Sequence, residues 1–126
     1  MDQINIMVFP CGSEIGLELH RALKDIRFIT LFGASSVEDH GKSVYKNYIG
    51  DIPYITDPAF VDALNAAIDQ NGIRFIFPAL DSVIAALSRV RDRLHAELLT
   101  CADDAVQVCR SKARTYARLS EIGRAS

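Results

Sequence analysis

Ile4-Asn5-Ile6-Met7-Val8-Phe9-Pro10-Cys11-Gly12-Ser13-Glu14-Ile15-Gly16 is the stretch from which the fold can be read. Its first six residues form a mostly apolar run of strand length, stopped by Pro10 and Gly12. Beyond the turn, Ile15, Leu19, Ala22, Leu23 and Ile26 fall on one helical face, which predicts a helix over about 13–24. Ser13 is placed to cap it, and Glu14 suits the positive end of its dipole. A buried strand running through a glycine-bearing turn into a helix is the first half of a β-α-β unit.

The same alternation continues outward. Residues 27–32 read as a second strand, ended by Gly33. Residues 33–57 are irregular, carrying three glycines, Pro53 and the tyrosines 45, 48 and 54; a stretch of this length is functional or conceals a short strand. Asp57-Pro58 then predicts an N-cap followed by proline in the first helical position. Phe60, Val61, Leu64, Ala67 and Ile68 supply that helix's apolar stripe, and Asn71-Gly72 its stop. Residues 73–77 read as the third strand, closed by Pro78. Asp81 or Ser82 is expected to cap a helix in which Val83, Leu87, Val90 and Leu94 recur at helical spacing. A short fourth strand is predicted over 96–101. Asp103-Asp104 then opens a helical segment, and Ser111 caps a last helix that ends at Gly123.

Strands separated by helices pair in parallel, because parallel neighbours need crossovers. Right-handed crossovers build an open, doubly wound, mainly parallel sheet of four to five strands with helices on both faces, a Rossmann-like α/β fold. Such sheets take ligands at the carboxyl ends of their strands. That edge is predicted to comprise 10–16, 33–36 and 78–82.

The 126 residues amount to one domain, and 49% hydrophobic with 24% charged residues is the ordinary globular balance. There is no apolar run of membrane-spanning length, Met1-Asp2-Gln3 lacks the positive start of a secretory signal, and three cysteines disfavour a closed disulfide framework. Together these point to a cytoplasmic protein. The net charge of −2 is unevenly spread: residues 1–109 hold 9 basic and 15 acidic side chains, residues 110–126 hold 5 and 1. The body is too acidic to attract nucleic acid. The chain thus divides into a Rossmann-like body, 1–109, and a basic helix, 110–126.

Chemistry-bearing motifs are few. Gly12, Ser13 and Gly16 frame a turn where backbone could approach an anion, but the spacing is G-x-x-x-G rather than G-x-G-x-x-G, and Gly33-Ala34-Ser35-Ser36 lacks the acid that holds a ribose. Tight turning and close helix packing explain the two glycines equally well. There is no P-loop. Cys11 at a helix start reads as a buried thiol before an activated one. Cys101 and Cys109 lack zinc-ligand spacing, and Glu38-Asp39-His40 reads as a solvated loop; no metal site and no catalytic residue are assigned. Pro78 and Asp81 stand at the ligand edge, where a capping carboxylate keeps one oxygen free for a ligand.

Several segments, in order, resemble the N-terminal domain of the ATP-grasp enzymes, the superfamily of carbamoyl phosphate synthetase and biotin carboxylase. They are the Ile4–Phe9 strand with its Gly12/Gly16 turn, Tyr45-Lys46-Asn47-Tyr48-Ile49-Gly50-Asp51-Ile52-Pro53 leading to Asp57-Pro58-Ala59-Phe60, Ile76-Phe77-Pro78-Ala79-Leu80-Asp81, and Cys109-Arg110-Ser111-Lys112 with Thr115, Tyr116, Leu119 and Gly123. The resemblance implies a domain that precedes a two-part module clamping ATP and Mg²⁺. That module activates a small carboxylate as an acyl phosphate for attack by an amine or thiol. It also implies that Lys112, with Arg114 as second choice, meets the ATP phosphates, which gives the basic helix a purpose. Leu80 stands where members of this pattern often carry histidine. The family continues into its ATP-binding lobes where this chain stops at Gly123-Arg124-Ala125-Ser126. The implied protein is therefore a fragment, a domain or half of a split enzyme, inactive alone and binding neither ATP nor Mg²⁺ tightly, with the ATP-grasp domain on the same or another chain as partner. No membrane and no nucleic acid partner is expected; an apolar helix face leaves room for a homodimer. Two other readings stand beside it: a stand-alone dinucleotide-binding or regulatory module, and a ligand-free protein-interaction domain.

Overall fold

A computed structural model describes residues 3–100 together with Gln107, Arg110, Ser111 and Arg114. The elements follow the order β1 (Ile4–Phe9), α1 (Glu14–Leu23), β2 (Ile29–Ala34), α2 (Gly41–Val44), β3 (Asn47–Ile49), α3 (Phe60–Asn71), β4 (Phe75–Pro78), α4 (Asp81–Arg89) and β5 (Glu97–Leu98), with a 3-10 turn at Arg91–Arg93. The five strands form one sheet in the order β3-β2-β1-β4-β5, parallel at every pairing. This is a doubly wound, Rossmann-like α/β fold.

β1 is central, and its composition shows why. Ile4, Ile6 and Val8 turn toward one face and join Leu19 and Leu23 of α1, Leu31 of β2 and Phe75 and Phe77 of β4. Met7 and Phe9 turn to the other and join Phe60, Leu64 and Ile68 of α3 and Val83 and Leu87 of α4. A strand buried on both faces has no polar side to present, so it reads as a near-continuous apolar run. Each such side chain removed from water is worth roughly 1.5–3 kcal/mol.

Several predicted boundaries shift for identifiable reasons. Gly33 does not end β2; it is buried inside the strand, and the Tyr45 ring packs where a Cβ would stand. The strand therefore lies two residues later than expected. The irregular stretch conceals α2 and the edge strand β3, whose three residues pair with Phe32, Gly33 and Ala34. Pro78 is the last residue of β4, in register with Phe9, and the next N–H, of Ala79, donates to the Phe9 carbonyl at 2.7 Å. A proline with no N–H is tolerated at a strand end for this reason.

Helix starts differ as well. The Asp57 carboxylate accepts the Ala59 N–H at 2.8 Å, but it heads a turn, and α3 begins only at Phe60, two residues beyond Pro58. Gly72 ends that helix as predicted, in the left-handed conformation with φ 60°. Neither Asp81 nor Ser82 caps α4. Leu80 occupies the cap position without a side-chain bond, and Asp81 is the first helical residue. α4 stops at Arg89, so Val90 and Leu94 follow it and pack half-buried on the α3/α4 face. Among the described residues of the predicted fourth strand, only Glu97–Leu98 form ladder, extended by a Leu99 N–H bond to Ile76. Arg110 and Ser111 are both helical, so Ser111 lies within a helical stretch rather than at its start. The Asp103-Asp104 helix opening and the Gly123 stop lie outside the described residues.

Candidate functional site at the carboxyl edge

The chain leaves β1 toward β2 on one side and later returns to place β4 on the other. The loops following β1 and β4 therefore part at the carboxyl edge, where open parallel sheets keep their ligand crevice. A cleft of about 310 Å³ lies there. Phe9 and Pro10 reach it from β1, Ser35, Ser36, Val37 and Asp39 from the loop after β2, Tyr54 and Ile55 from the loop after β3, and Leu80, Ser82 and Val83 from β4 and α4. All three segments predicted for this edge contribute to it. The irregular stretch adds four further residues, Val37, Asp39, Tyr54 and Ile55, outside the three segments predicted for the edge.

Gly12, Ser13, Gly16, Pro78 and Asp81, singled out from the sequence at this edge, do not line the cleft. Ser13 caps α1, its Oγ accepting the Gly16 N–H at 3.0 Å and donating to the Pro10 carbonyl at 3.2 Å. Gly16 is buried, and a side chain there would run into the Cys11 carbonyl 2.7 Å from its Cβ. The Gly16 carbonyl accepts the buried Tyr45 hydroxyl at 2.6 Å. At Gly12 a Cβ would overlap the Asp39 carboxylate. Close packing against the Cys11 carbonyl and the Asp39 carboxylate thus gives both glycines a structural reason. Pro78 is buried in the sheet, and Asp81 is exposed on α4. Arg114 is helical and exposed, and Lys112 lies outside the described residues.

Asp39 is the residue that the sequence reading undervalued. Within Glu38-Asp39-His40, only Asp39 turns inward; Glu38 pairs with Lys42 at 3.2 Å on the surface and His40 is exposed. Asp39 Oδ2 accepts the Ser35 hydroxyl at 2.8 Å, and Oδ1 accepts the Gly41 N–H at 2.9 Å. Cys11 Sγ lies 3.3 Å from Ser35 Oγ and 3.8 Å from Asp39 Oδ1. The serine has one hydroxyl proton and spends it on Asp39, so the thiol must be the donor to Ser35. A chain of donors from Cys11 through Ser35 to Asp39 requires a protonated thiol. Burial, with the nearby Asp39 charge adding to it, pushes Cys11 up to about 11. Cys11 is thus a buried, protonated thiol. Tyr45 is raised as well, chiefly by burial.

A second hollow of about 360 Å³ lies away from this edge, between the end of α1 and the start of β3. Its charges are of both signs, Lys24 and Lys46 against Asp25. Burial, helped by Lys24, holds His20 below its usual range there. Among the described residues no three His, Cys, Asp or Glu side chains converge on a metal position, and no helix is long and apolar enough to cross a membrane.

Together, the sheet order and the crevice define a Rossmann-like module of the nucleotide- or ligand-binding type. No protein-family model and no curated protein matches the chain, so its class rests on architecture alone.

Proposed function

We propose that this chain is the Rossmann-like N-terminal domain of an ATP-grasp ligase, supplying one wall of the site where a small carboxylate is activated through an acyl phosphate. One observation carries the reading. Three of the segments that resemble the family, the turn after β1, the connection leaving β3 and the turn after β4, converge on a single edge of the sheet although they are far apart in sequence. In this reading the body is the scaffold on the substrate side, and the triphosphate and Mg²⁺ are held by the ATP-grasp lobes with help from Lys112 and Arg114. The exposed position of the Arg114 side chain on a helix is compatible with such a contact.

The test lies in the protein that carries those lobes. Lys112→Ala is expected to weaken MgATP binding by about tenfold, the loss of one charge-assisted contact, with no change in melting temperature. Unaltered nucleotide affinity would reduce Lys112 to a surface charge. Titration of the 126-residue chain with MgATP is expected to give no stoichiometric heat; tight binding there would overturn the division of labour.

A further inference from the structure

We propose that the carboxyl-edge cleft binds a small apolar molecule headed by a protonated amine. The inference rests on the cleft being a ligand site, but not on ATP-grasp chemistry. Among the described residues, Asp39 is the only charged one in the cleft wall, and no basic side chain lines it. The nearest lysine in sequence, Lys42, is committed to Glu38, and among the described residues no cation pairs with Asp39. Its two donors, the Ser35 hydroxyl and the Gly41 N–H, are neutral, and the Cys11 thiol 3.8 Å away is neutral as well. A half-buried carboxylate with polar donors but no counter-charge favours a cation and repels an anion.

The remaining wall selects the body of the ligand. Phe9 and Val83 form an apolar floor, and Val37, Tyr54 and Leu80 are 55%, 62% and 49% exposed at the mouth. Side chains of that size left open to solvent gain by covering an apolar group. An anionic headgroup would find no basic partner among the described residues of the wall.

Amide shifts in nuclear magnetic resonance spectra of the chain, titrated with 2-phenylethylamine, phenylacetate and benzyl alcohol, test this. The amine is expected to shift Ser36, Val37 and Leu80 saturably, with phenylacetate at least about tenfold weaker. Asp39→Asn is expected to abolish that preference. Because Asp39 also holds the Cys11–Ser35 network, Ser82→Lys, which leaves the network intact, provides the second variant and is expected to weaken the amine by about tenfold. If the acid binds as tightly as the amine, or if both variants keep full amine affinity, the proposal is overturned. If benzyl alcohol matches the amine, the cleft is a ligand site without charge selection. If none of the three binds, the cleft is not a ligand site at all. Neither of these last results bears on the MgATP experiment, so the ligase reading fails or survives separately.

Discussion

The turn after β1 and the turn after β4 lie side by side at the same sheet edge, yet they are built in opposite ways. The first is filled from within: Ser13 caps α1, Gly16 lies against the Cys11 carbonyl, and the Asp39 carboxylate covers Gly12. The second is open: Leu80 takes the cap position of α4 with no side-chain bond and remains half exposed to solvent at the mouth of the cleft. The glycine-bearing turn, which looks like a ligand loop in the sequence, is closely packed against the protein itself. The plain Ala79-Leu80-Asp81-Ser82 turn faces the crevice. Glycine marks close approach of backbone, and what approaches can be the protein itself as readily as a ligand.

The contrast can be broken most sharply at Gly16. Gly16→Ala forces a Cβ against backbone rather than against a flexible side chain, and is expected to cost about 3 kcal/mol in urea unfolding, near the upper end for overpacking. A loss below about 1 kcal/mol would mean that the turn has slack, and the packing account of Gly16 would fail.

The Cys11 network predicts a smaller, pH-dependent effect. The folded thiol is raised from an ordinary value of 9.0 to about 11. The contribution is therefore fully present below pH 9 and declines as the pH rises toward 11, because the unfolded thiol ionises first. The difference in unfolding free energy between the natural chain and Cys11→Ala is expected to shrink across that window by of order 2 kcal/mol. Comparing the two chains removes the larger part of the Tyr45 contribution, which comes from burial; the smaller part, from the Cys11 charge, goes with the thiol. A difference that stays constant with pH would place the thiol in contact with water.

The smallest effects compare the two helix starts directly. Ser13→Ala should lower stability by about 1 kcal/mol, the value of a lost cap bond. Asp81→Ala should lower it by only about 0.3–0.5 kcal/mol, since the carboxylate interacts with the helix dipole alone. Leu80→Ala should stay within about 0.5 kcal/mol, as expected for an exposed side chain. Equal costs at Ser13 and Asp81 in thermal melts would erase the distinction between a closed and an open turn.

Much of this architecture was legible along the chain because it depends on local chemistry. The β1 run, the Ser13 cap, the apolar stripes of α1 and α3 and the Gly72 stop each follow from residues within one or two turns of each other. The edge strand β3 was not legible. Its three residues are exposed or half-buried, and it gains its structure from pairing with Phe32, Gly33 and Ala34. The inward turn of Asp39 was hidden for a related reason. Its partners Cys11 and Gly12 lie more than twenty-five residues away in sequence, and between Glu38 and His40 it reads as surface. One signal was available: Ser35, Asp39 and Gly41 fall close together in a loop following a strand, a spacing at which a carboxylate can bond both its own loop's hydroxyl and a following N–H.

The sequence by itself determined the α/β class, the parallel sheet and the edge at which a ligand would meet it, because hydrophobic periodicity and crossover handedness leave few alternatives. Only the tertiary structure decided which residues at that edge face each other and which face water. Crossovers bring loops from four strands to one crevice, and the position of a single carboxylate among them sets its charge. That information lies in distances between residues remote in the chain, which no local pattern carries.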